Sequence, residues 1–505
     1  MILSKFNLHN ITSNEIEVPS NEIFELPEKV LQFGTGVLLR ALPDYFIDKA
    51  NKKGIFNGRI VIVKSTNSGD TQDFDKQDGL YTICEKGIEN GSVVEKNIIN
   101  ASVSRVLNAR NEWNQVLECA HNPHMKIVLS NTTEVGITLV QDDIKQYPPV
   151  SFPGKLLSFL YERYRAFEGS EQSGMIIVPT ELIPDNGKKL EGIVFELAHI
   201  NGLEDDFISW LEKCNTFCNS LVDRIVPGKP SVAKMEEVTE HLGYKDGLYC
   251  ESEIFRLWAI EGDEHVKQTL SFAQCDEGVV IQSDINLFRE LKLRLLNATH
   301  TFNSGLAFLS GFNLTRDAML DETYATFAKR LMQVEIASSI PMDIEDTIKL
   351  DFANKVFDRF CNPYIDHQWI SITAQYSSKM KMRCLPLLKQ SISLFKKVPN
   401  SMALGFAGYL FFMKAVKCEN QKYFGEWNGK SYPITDDSAH LFFEYWTTLS
   451  LEDLVKTVLS NEQLWGENLT LLEGFESKVL LNLEQMIHQG VMATITHYSN
   501  AELSA

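Results

Sequence analysis

Lys29-Val30-Leu31-Gln32-Phe33-Gly34-Thr35-Gly36, a short apolar run that ends in two glycines, decides the fold of this chain. An amphipathic stretch follows it, with apolar side chains such as Leu39 and Phe46 at helical spacing. Pro43 falls early in this stretch, where we expect it to bend the first helical turns. Arg59-Ile60-Val61-Ile62-Val63 then has the composition of a buried strand. A strand, a glycine-containing turn, a helix and a second strand form the opening of a dinucleotide-binding βαβ unit.

Two later segments continue the alternation of strands and helices. Residues 125–129 and 174–178 are apolar runs of strand length. The polar loop Ser130-Asn131-Thr132-Thr133-Glu134 follows the first run, and Pro179-Thr180-Glu181 follows the second. Strands interleaved with helices predict a mostly parallel sheet that binds ligands at the carboxyl ends of its strands. We therefore predict an α/β, Rossmann-like N-terminal domain whose ligands lie against these loops.

The character of the sequence changes after the segment Asp223-Arg224-Ile225-Val226-Pro227-Gly228-Lys229-Pro230. Beyond it, long helical patterns such as 285–309 and 344–360 dominate, and strand-like runs are few. We predict a dinucleotide-binding Rossmann-like domain over residues 1–230 and a mainly α-helical C-terminal domain, with substrate and catalytic residues, over residues 231–505. The length of 505 residues favours two large domains, because single cores rarely grow beyond about 300 residues.

Composition and charge exclude several classes of function. The formal net charge of −19 argues against nucleic acid and anionic membranes as partners, because both require clustered Lys and Arg. The best candidate for a membrane span, 401–416, is shorter than the roughly 20 residues that a span needs, so we expect a buried helix there. The N-terminus has no signal-peptide pattern, and the nine cysteines are scattered without ligand-like spacing. We therefore expect a cytoplasmic protein with reduced thiols and no metal site.

The turn Gly34-Thr35-Gly36 supplies two of the three glycines of a dinucleotide fingerprint. The first glycine permits the tight turn, and the second lets backbone N–H groups approach a pyrophosphate. Leu39 stands where the third glycine would be, so the pattern alone is as compatible with an ordinary turn. Lys64-Ser65-Thr66 occupies the place of the acidic residue that binds the ribose hydroxyls, and a lysine there could accept a 2′-phosphate. The choice between NAD and NADP is therefore open at this point.

A second constellation lies in Lys292-Leu293-Arg294-Leu295-Leu296-Asn297-Ala298-Thr299-His300. At about 100° per residue of an α-helix, Asn297 lies roughly 140° and His300 roughly 80° around the axis from Lys292, so all three fit one face. A lysine, an amide and an imidazole that converge on a cleft can bind and polarise a carbonyl group. The same residues are also compatible with a solvated lysine, a capping asparagine and a histidine of the core.

Several segments resemble the polyol-specific long-chain dehydrogenase family, which includes mannitol dehydrogenase, fructuronate reductase and tagaturonate reductase. Lys292, Asn297 and His300 match the family's K-x4-N-x2-H helix, which is its most specific signature. The other matching segments are Phe33-Gly34-Thr35-Gly36 with Arg40-Ala41, Asp78-Gly79-Leu80-Tyr81, Asp223-Arg224-Ile225 and Ser378-Lys379. The resemblance extends over nearly the whole chain.

Two loops are most similar to those of tagaturonate reductases within that family, namely 130–137 and 178–183. Mannitol dehydrogenases have a C-D-N sequence in the second loop, and its asparagine helps to bind the reacting oxygen. Leu182 stands at that position here. The resemblance therefore implies that Asn297 acts alone, or that Glu181 or a backbone group replaces the missing amide.

The resemblance implies a reversible, NAD(H)-dependent reduction of a keto-hexuronate, most closely of tagaturonate to altronate. The cofactor would supply the hydride. Asn297 would donate a hydrogen bond to the carbonyl oxygen, and Lys292 would give that oxygen its proton. His300 is expected to position a substrate hydroxyl rather than to transfer the proton.

The remaining site residues follow from the turn, the strand ends and the charge of the substrate. The residues expected to bind the cofactor are Phe33, Gly34, Thr35, Gly36, Leu38, Lys64, Asn131 and Thr132. A hexuronate carboxylate needs a positive partner, and Lys379, Lys381 and Arg383 alternate along one segment that is equally compatible with a solvated basic surface. The residues expected to bind the substrate are Asp223, Glu181, Lys379 and Arg383. Asp223 would orient Lys292, or would merely pair with Arg224.

Three alternative functions remain. Fructuronate or a neutral polyol could replace tagaturonate as the substrate. A non-redox sugar-acid isomerase or epimerase on the same fold would show no net oxidation of NADH. A catalytically inactive sugar- or nucleotide-binding regulator is the third, although such a protein has no chemical need for Lys292. The sequence does not predict the oligomeric state.

Overall fold

The computed structural model describes residues 1–65, 71–132 and 136–503. Contacts divide the chain into two compact units: unit 1 comprises Met1–Gly87 and Val93–Ile285, and unit 2 comprises Ile88–Ser92 and Asn286–Ala505. The strands, numbered in chain order, are β1 (Ile16–Glu17), β2 (Glu28–Phe33), β3 (Arg59–Lys64), β4 (Tyr81–Glu89), β5 (Ser92–Asn100), β6 (Val103–Asn108), β7 (Ile127–Ser130), β8 (Ile176–Pro179), β9 (Thr216–Phe217), β10 (Ser220–Asp223), β11 (Cys250–Glu253), β12 (Leu257–Glu261), β13 (Val279–Gln282), β14 (Ala415–Glu419), β15 (Lys422–Trp427) and β16 (Lys430–Ile434).

Unit 1 is built on a parallel sheet with the strand order β6-β3-β2-β7-β8-β9. Counted within the sheet, this order is 3-2-1-4-5-6, which is that of the doubly wound dinucleotide-binding fold. The order reverses between β2 and β7, where Phe33 pairs with Ser130. Ligands of such sheets bind at the carboxyl ends of the strands beside this reversal. The predicted Rossmann-like fold is therefore confirmed, and the turn after Phe33 lies at its ligand-binding edge.

Both faces of this sheet are covered, as a parallel sheet requires. Successive side chains of a strand point to opposite faces, so Leu31 and Phe33 enter one apolar core while Val30 enters the other. The α-helices of unit 1 are Val37–Ala41, Pro43–Lys52, Gln72–Lys76, Ala109–Glu118, Phe152–Ala166, Asn186–Ile200, Asp205–Cys214, Val232–Leu242 and Glu264–Thr269. Its short 3₁₀ helices are Lys5–Asn10, Asn21–Glu25, Cys119–His121, Glu171–Ser173 and Ser271–Cys275.

The helix that follows the glycine turn is interrupted rather than bent. Its first part, Val37–Ala41, ends at Leu42, which has φ −128° and ψ −77°. Pro43 is the first residue of the second part, Pro43–Lys52. Proline suits that position because the first N–H group of a helix has no intrahelical partner.

Unit 1 extends further along the chain than residue 230, where the proline and glycine cluster predicted the boundary. The reason is strand pairing, since β11 pairs with β4 and β12 pairs with β10. Residues up to Ile285 therefore belong to the α/β unit. The C-terminal part of unit 2 begins at Asn286, and the one described sheet that lies wholly in it is the antiparallel β14-β15-β16.

Unit 2 is mainly helical, as predicted for the C-terminal part. Its α-helices are Asn286–Leu291, Thr299–Leu309, Thr315–Leu320, Glu322–Arg330, Asp346–Phe360, Trp369–Ile372, Tyr376–Lys379, Leu385–Phe395, Asn400–Phe412, Ala439–Thr448, Leu451–Ser460, Glu462–Trp465, Phe475–Gln489 and Val491–Leu503. Segments Lys292–Ala298, Leu331–Ile336 and Met380–Cys384 are π-helical, and Ala337–Ser339 and Leu469–Leu471 are 3₁₀ helices.

The apolar stretch 401–416 contributes a buried helix, as the sequence predicts. Residues 401–412 of Asn400–Phe412 are buried throughout. This helix packs against Thr299–Leu309 at a glycine contact, because a Cβ atom on Gly305 would lie 2.8 Å from the carbonyl oxygen of Gly408. Among the residues that the structure describes, no helix is long and apolar enough to cross a membrane.

Candidate active site

The glycine turn after β2 has different requirements at its two glycines. Gly34 has φ +130°, and a Cβ atom there would lie 2.9 Å from Leu39 Cδ1. Leu39 thus fills the space above Gly34 and excludes any side chain from it. A Cβ atom on Gly36 would meet nothing within 4 Å, and Gly36 is exposed. The protein itself does not require glycine at position 36, so the open space there suits a ligand that approaches the backbone.

The other residues of the predicted cofactor turn differ in whether their side chains lie in the turn or pack into the core. The Phe33 ring is fully buried, with its centroid 5.2 Å from that of Phe152. Leu38 is partly buried against the core, and Thr35 is partly exposed in the turn. Lys64 ends β3 and is only 5% exposed. The structure thus places Thr35 and the two glycines at the ligand-binding edge, and it places the Phe33 and Leu38 side chains toward the core.

The loops after β7 and β8 are tied to each other at the same edge of the sheet. Asn131 Nδ2 donates to the carbonyl oxygen of Thr180 at 2.9 Å and to its Oγ1 at 3.0 Å. Glu181 accepts from Ser130 Oγ at 3.1 Å, and from the N–H and Oγ1 of Thr132 at 2.8 and 2.9 Å. Both oxygens of this buried carboxylate are therefore engaged by the neighbouring loop, and its predicted contact with substrate stays a prediction. Residues 133–135 of the tagaturonate reductase-like loop, like Thr66, lie outside the described residues.

The Asp223-Arg224-Ile225 segment is held by a buried ionic contact. Asp223 is the last residue of β10 and is 7% exposed. Arg224 forms an ion pair with Glu85, donates from Nε to the carbonyl oxygen of Glu253 at 3.0 Å, and lies 4.8 Å from the ring centroid of Tyr45. Arg224 thus stabilises unit 1, and the role of Asp223 toward substrate stays a prediction.

A buried carboxyl group lies close to the glycine turn. Asp44 Oδ2 accepts from Tyr81 Oη at 3.1 Å and from Gln32 Nε2 at 3.4 Å, and Gln32 Nε2 also lies 3.4 Å from the carbonyl oxygen of Gly34. Burial raises the pKa of Asp44 to about 7, although these hydrogen bonds and the charge of Arg40 lower it. The carboxyl group is therefore partly protonated at neutral pH.

Asp44→Asn is expected to remove part of the pH dependence of stability. The pKa of Asp44 in the folded state lies above its unfolded value of about 3.9, so its contribution to stability is complete below about pH 4 and is lost as the pH rises through about 7. The neutral amide avoids this loss. Urea unfolding should show an advantage of the variant that grows from pH 4 to pH 8 and reaches the order of 4 kcal/mol.

Asp276→Asn is a control for which the change in unfolding free energy at high pH is expected to have the opposite sign. Burial raises the pKa of Asp276, but ion pairs with Arg256 at 2.9 Å and Lys49 at 2.6 Å outweigh burial and hold it below its usual range. Its contribution is present above the unfolded pKa and is lost as the pH falls, so this variant should be less stable than wild type at pH 8. If the free energy of unfolding of Asp44→Asn and that of the wild type changed in parallel with pH, the raised pKa of Asp44 would be refuted.

In unit 2, the predicted catalytic residues lie on a helix whose middle is π-helical. Asn286–Leu291 leads into the π segment Lys292–Ala298, which continues into Thr299–Leu309. A π-helix bonds residues five apart, so Asn297 lies roughly one turn beyond Lys292 and on the same side of the helix. The two side chains are both partly exposed. The structure therefore aligns them more closely than the 140° expected of an α-helix, while His300 follows in the next turn.

His300 is enclosed by aromatic rings. Its ring stacks on Phe360 with centroids 4.2 Å apart and meets His367 edge-on at 5.0 Å and Trp369 at 6.0 Å. Nε2 of His300 is buried and has no hydrogen-bond partner among the residues that the structure describes. Burial lowers the pKa of His300 well below its usual value, and the nearby His367 and the positive charges of Arg359, Arg383 and Lys379 lower it further. The imidazole is therefore neutral at neutral pH and can bind a substrate hydroxyl without carrying charge.

Lys379 and Arg383 lie on a second helix with a π segment in its middle. Tyr376–Lys379 leads into Met380–Cys384, and Leu385–Phe395 follows. Lys379 Nζ donates to the carbonyl oxygen of Ile372 at 2.8 Å, and Arg383 Nη1 lies 3.5 Å from Thr301 Oγ1. Burial lowers the pKa of Lys379, with a further contribution from Arg383, and burial also lowers the pKa of Arg383. Both groups lie close enough to His300 for their charges to lower its pKa.

The sequence reasoning missed Arg359 and His367. Arg359 is 8% exposed and ends the helix Asp346–Phe360, and His367 lies in the loop that follows. Arg359 and Lys379, after burial, lower the pKa of His367. An arginine at a helix end is usually solvated, so the helical pattern gave no reason to expect a buried Arg359. The apolar residues Val356 and Phe360 nearby are compatible with burial of this helix end. Lys379, Arg383, Arg359 and the two histidines form what we call the basic cluster of unit 2.

Among the described residues, no group of three or more His, Cys, Asp or Glu side chains is arranged to hold a metal ion. Unit 2 carries a lysine and an amide five residues apart in one π-helical segment, followed on the same helix by a neutral imidazole that has several cations nearby. Such a set can hydrogen-bond and protonate a carbonyl oxygen and can hold an anionic group. Unit 1 presents an open glycine turn at the reversal point of a doubly wound sheet.

Two family models span most of the chain. The model of the mannitol dehydrogenase Rossmann domain matches residues 28–274, and that of the mannitol dehydrogenase C-terminal domain matches residues 284–487. The chain is 35% identical to an altronate oxidoreductase of Halalkalibacterium halodurans over 486 residues, which cover 94% of each protein. It is also 35% identical to an altronate oxidoreductase of Bacillus subtilis over 479 residues, which cover 94% of this chain and 96% of that protein.

Solved structures share the fold over nearly their whole length. Mannitol 2-dehydrogenase of Pseudomonas fluorescens, in a ternary complex with NAD and D-mannitol, superposes with a TM-score of 0.65 at 20% identity and 99% coverage of both chains. D-sorbitol dehydrogenase in its substrate-free form superposes with a TM-score of 0.77 at 20% identity, with coverage of 98% of this chain and 100% of that chain.

Proposed function

Because this chain belongs to the mannitol dehydrogenase family and is an oxidoreductase that acts on CH–OH groups, we propose that it catalyses the reversible, NAD(H)-dependent reduction of tagaturonate to altronate. The observation that carries the choice of an anionic substrate is the basic cluster of unit 2, since Arg359, Lys379 and Arg383 gather around a neutral His300 in a chain of net charge −19. The curated relatives named altronate oxidoreductase support the same choice.

The cofactor choice is supported by the ligand-binding edge of unit 1. Gly36 leaves open space beside the backbone, and the turn lies where the strand order of the sheet reverses. Thr35 and the two glycines would hold the pyrophosphate of NAD(H), with Asn131 and Thr132 on the adjacent loop. NADH, when bound, supplies the hydride. The shared fold with a mannitol 2-dehydrogenase solved with NAD supports NAD over NADP. Lys64 is the residue that could instead accept the 2′-phosphate of NADP.

The π-helical turn explains how two side chains could serve one oxygen. Asn297 donates a hydrogen bond to the carbonyl oxygen, where negative charge develops during reduction. Lys292, one π turn earlier, gives that oxygen its proton and takes it back in the oxidation of altronate. His300, which is neutral, hydrogen-bonds a substrate hydroxyl through Nε2. Lys379 and Arg383 bind the carboxylate of the substrate.

The proposal is tested by following NADH oxidation with tagaturonate, fructuronate and fructose side by side. Tagaturonate should be reduced fastest, because the basic cluster favours an acid and the loops at 130–137 and 178–183 are similar to those of tagaturonate reductases. NADPH in place of NADH should support a lower kcat/KM. Absence of turnover on all three substrates would refute the proposal, and conversion of a sugar acid without NADH oxidation would favour an isomerase or epimerase instead.

A further inference from the structure

The two groups of predicted site residues in unit 2 share an unusual local structure. Lys292 and Asn297 belong to the π segment Lys292–Ala298. Arg383 belongs to the π segment Met380–Cys384, and this segment begins directly after Lys379. Among the described residues, one further π segment, Leu331–Ile336, occurs in this unit. Such segments are rare and are frequent at functional sites, because a wider turn re-aims the side chains around it. Each of the two site segments therefore presents its functional side chains from a distorted part of a helix.

Arg294 connects these two segments directly. It lies in the first π segment, between Lys292 and Asn297, and is 7% exposed. Its Nη1 donates to the carbonyl oxygen of Met382 at 3.1 Å and to that of Arg383 at 2.9 Å. Both carbonyl groups belong to the second π segment. One guanidinium group thus fixes the backbone beside the predicted proton donor against the backbone that carries the predicted carboxylate ligand.

Glu290 fixes the guanidinium group in turn. Glu290 lies one helical turn before Arg294 on the same helix, and its Oε2 accepts a hydrogen bond from Arg294 Nε at 3.0 Å. The Glu290 side chain is 21% exposed and that of Arg294 is 8% exposed, so water screens this ion pair only in part. Arg294 therefore has partners on both sides, with its Nε held by its own helix and its Nη1 directed at the neighbouring helix. The two donor groups lie in one rigid plane, so a guanidinium group holds the two helices at a fixed distance better than a flexible ammonium group does.

We propose that Arg294, oriented by Glu290, is a positioning residue that sets the distance between the Lys292–Asn297 pair and the Lys379–Arg383 pair. This inference rests on the proposed function, in which the first pair serves the reacting carbonyl and the second pair holds the carboxylate of the same substrate. A six-carbon acid is productive only when both ends are bound at the distance that its own bonds fix. An error of about 1 Å in such a distance can lower a rate by about 100-fold.

The test is the effect of Arg294→Lys on kcat and KM with the substrate that the wild type reduces fastest in the panel. Each pair keeps its own side chains, so KM should stay within about 3-fold of wild type while kcat falls about 10- to 100-fold. Glu290→Gln keeps the guanidinium group but loosens its orientation, so it should lower kcat in the same manner and by a smaller factor. A kcat within 3-fold of wild type in both variants would overturn the inference.

Arg163→Lys is the matched control for a merely structural effect. Arg163 is also buried and lies in unit 1, and its Nη1 donates to the carbonyl oxygens of Ala120 and Asn122 at 2.9 and 3.0 Å. Within the part of the chain that the structure describes, its hydrogen bonds reach none of the predicted site residues. It should lower the melting temperature and leave kcat unchanged. If Arg294→Lys changes kcat and melting temperature no differently from Arg163→Lys, Arg294 is structural only.

A second readout needs no substrate. In a crystal structure of Arg294→Lys, the segment Met380–Cys384 should shift by about 1 Å or more relative to Lys292–Ala298. Unchanged separation of the two segments would overturn the inference even if the wild type reduced none of the panel substrates. Failure of the panel alone would refute the proposed function and leave this structural result to decide the role of Arg294.

Discussion

Lys292→Ala should lower turnover of the keto-acid by about 100- to 10,000-fold while NADH still binds with near wild-type affinity. The expected loss is this large because the alkoxide that forms on reduction would have no proton donor beside it. Asn297 is one π turn away and would still donate its hydrogen bond, so binding of the substrate should change much less than kcat. Steady-state kinetics give kcat and KM, and the fluorescence of bound NADH gives its affinity.

Lys292→Arg separates proton transfer from electrostatic stabilisation. Arginine restores the positive charge but keeps its proton at any pH at which the protein is folded. If Lys292 transfers a proton, this variant stays nearly as inactive as Lys292→Ala; recovery to within 10-fold of wild type would mean that charge alone matters. Retention of more than a tenth of wild-type kcat by Lys292→Ala would contradict the assignment of Lys292 as the proton donor.

The Rossmann-like sheet could be predicted because its signals are local. β2, the turn at Gly34 and β3 follow one another within forty residues, and their order, an apolar run, a glycine turn, a helical pattern and a second apolar run, can be read from that one stretch. The boundary between the units has no local signal, since it depends on β11 pairing with β4 far earlier in the chain and on β12 pairing with β10 across the predicted boundary. A proline and glycine cluster marks a loop, but only strand pairing decides which unit the next strands join.

The candidate site could be predicted as a set of residues but not as a geometry. The K-x4-N-x2-H match proposes Lys292, Asn297 and His300 as catalytic residues, and this stays a prediction. Their alignment depends on a π segment, which the composition of 292–298 does not predict. A spacing of five residues separates two side chains by about 140° around an α-helix and by a smaller angle around a π-helix. Arg359 and His367 stayed hidden for a different reason, because they approach His300 from another helix and a loop, and tertiary contacts of this kind leave no trace in a single sequence.

Replacing Lys379 or Arg383 with methionine should separate acidic from neutral substrates. A hydrogen bond to a charged group contributes about 1.5–3 kcal/mol, so each substitution should raise the KM for altronate by about 10- to 100-fold. Oxidation of a neutral polyol such as mannitol, which offers no carboxylate, should change by less than about 3-fold. The ratio of kcat/KM for the two substrates therefore measures what each cation contributes to the choice of an acid.

Lys381→Met is the matched control, because Lys381 lies between these two residues on the same segment and is exposed. It removes the same charge from the same part of the chain, so it reproduces any long-range effect on an anionic substrate without removing a group that is close to His300. Selectivity should stay near that of wild type in this variant. Equal losses in all three variants would show that the net charge of the segment attracts the substrate, and that Lys379 and Arg383 do not bind its carboxylate.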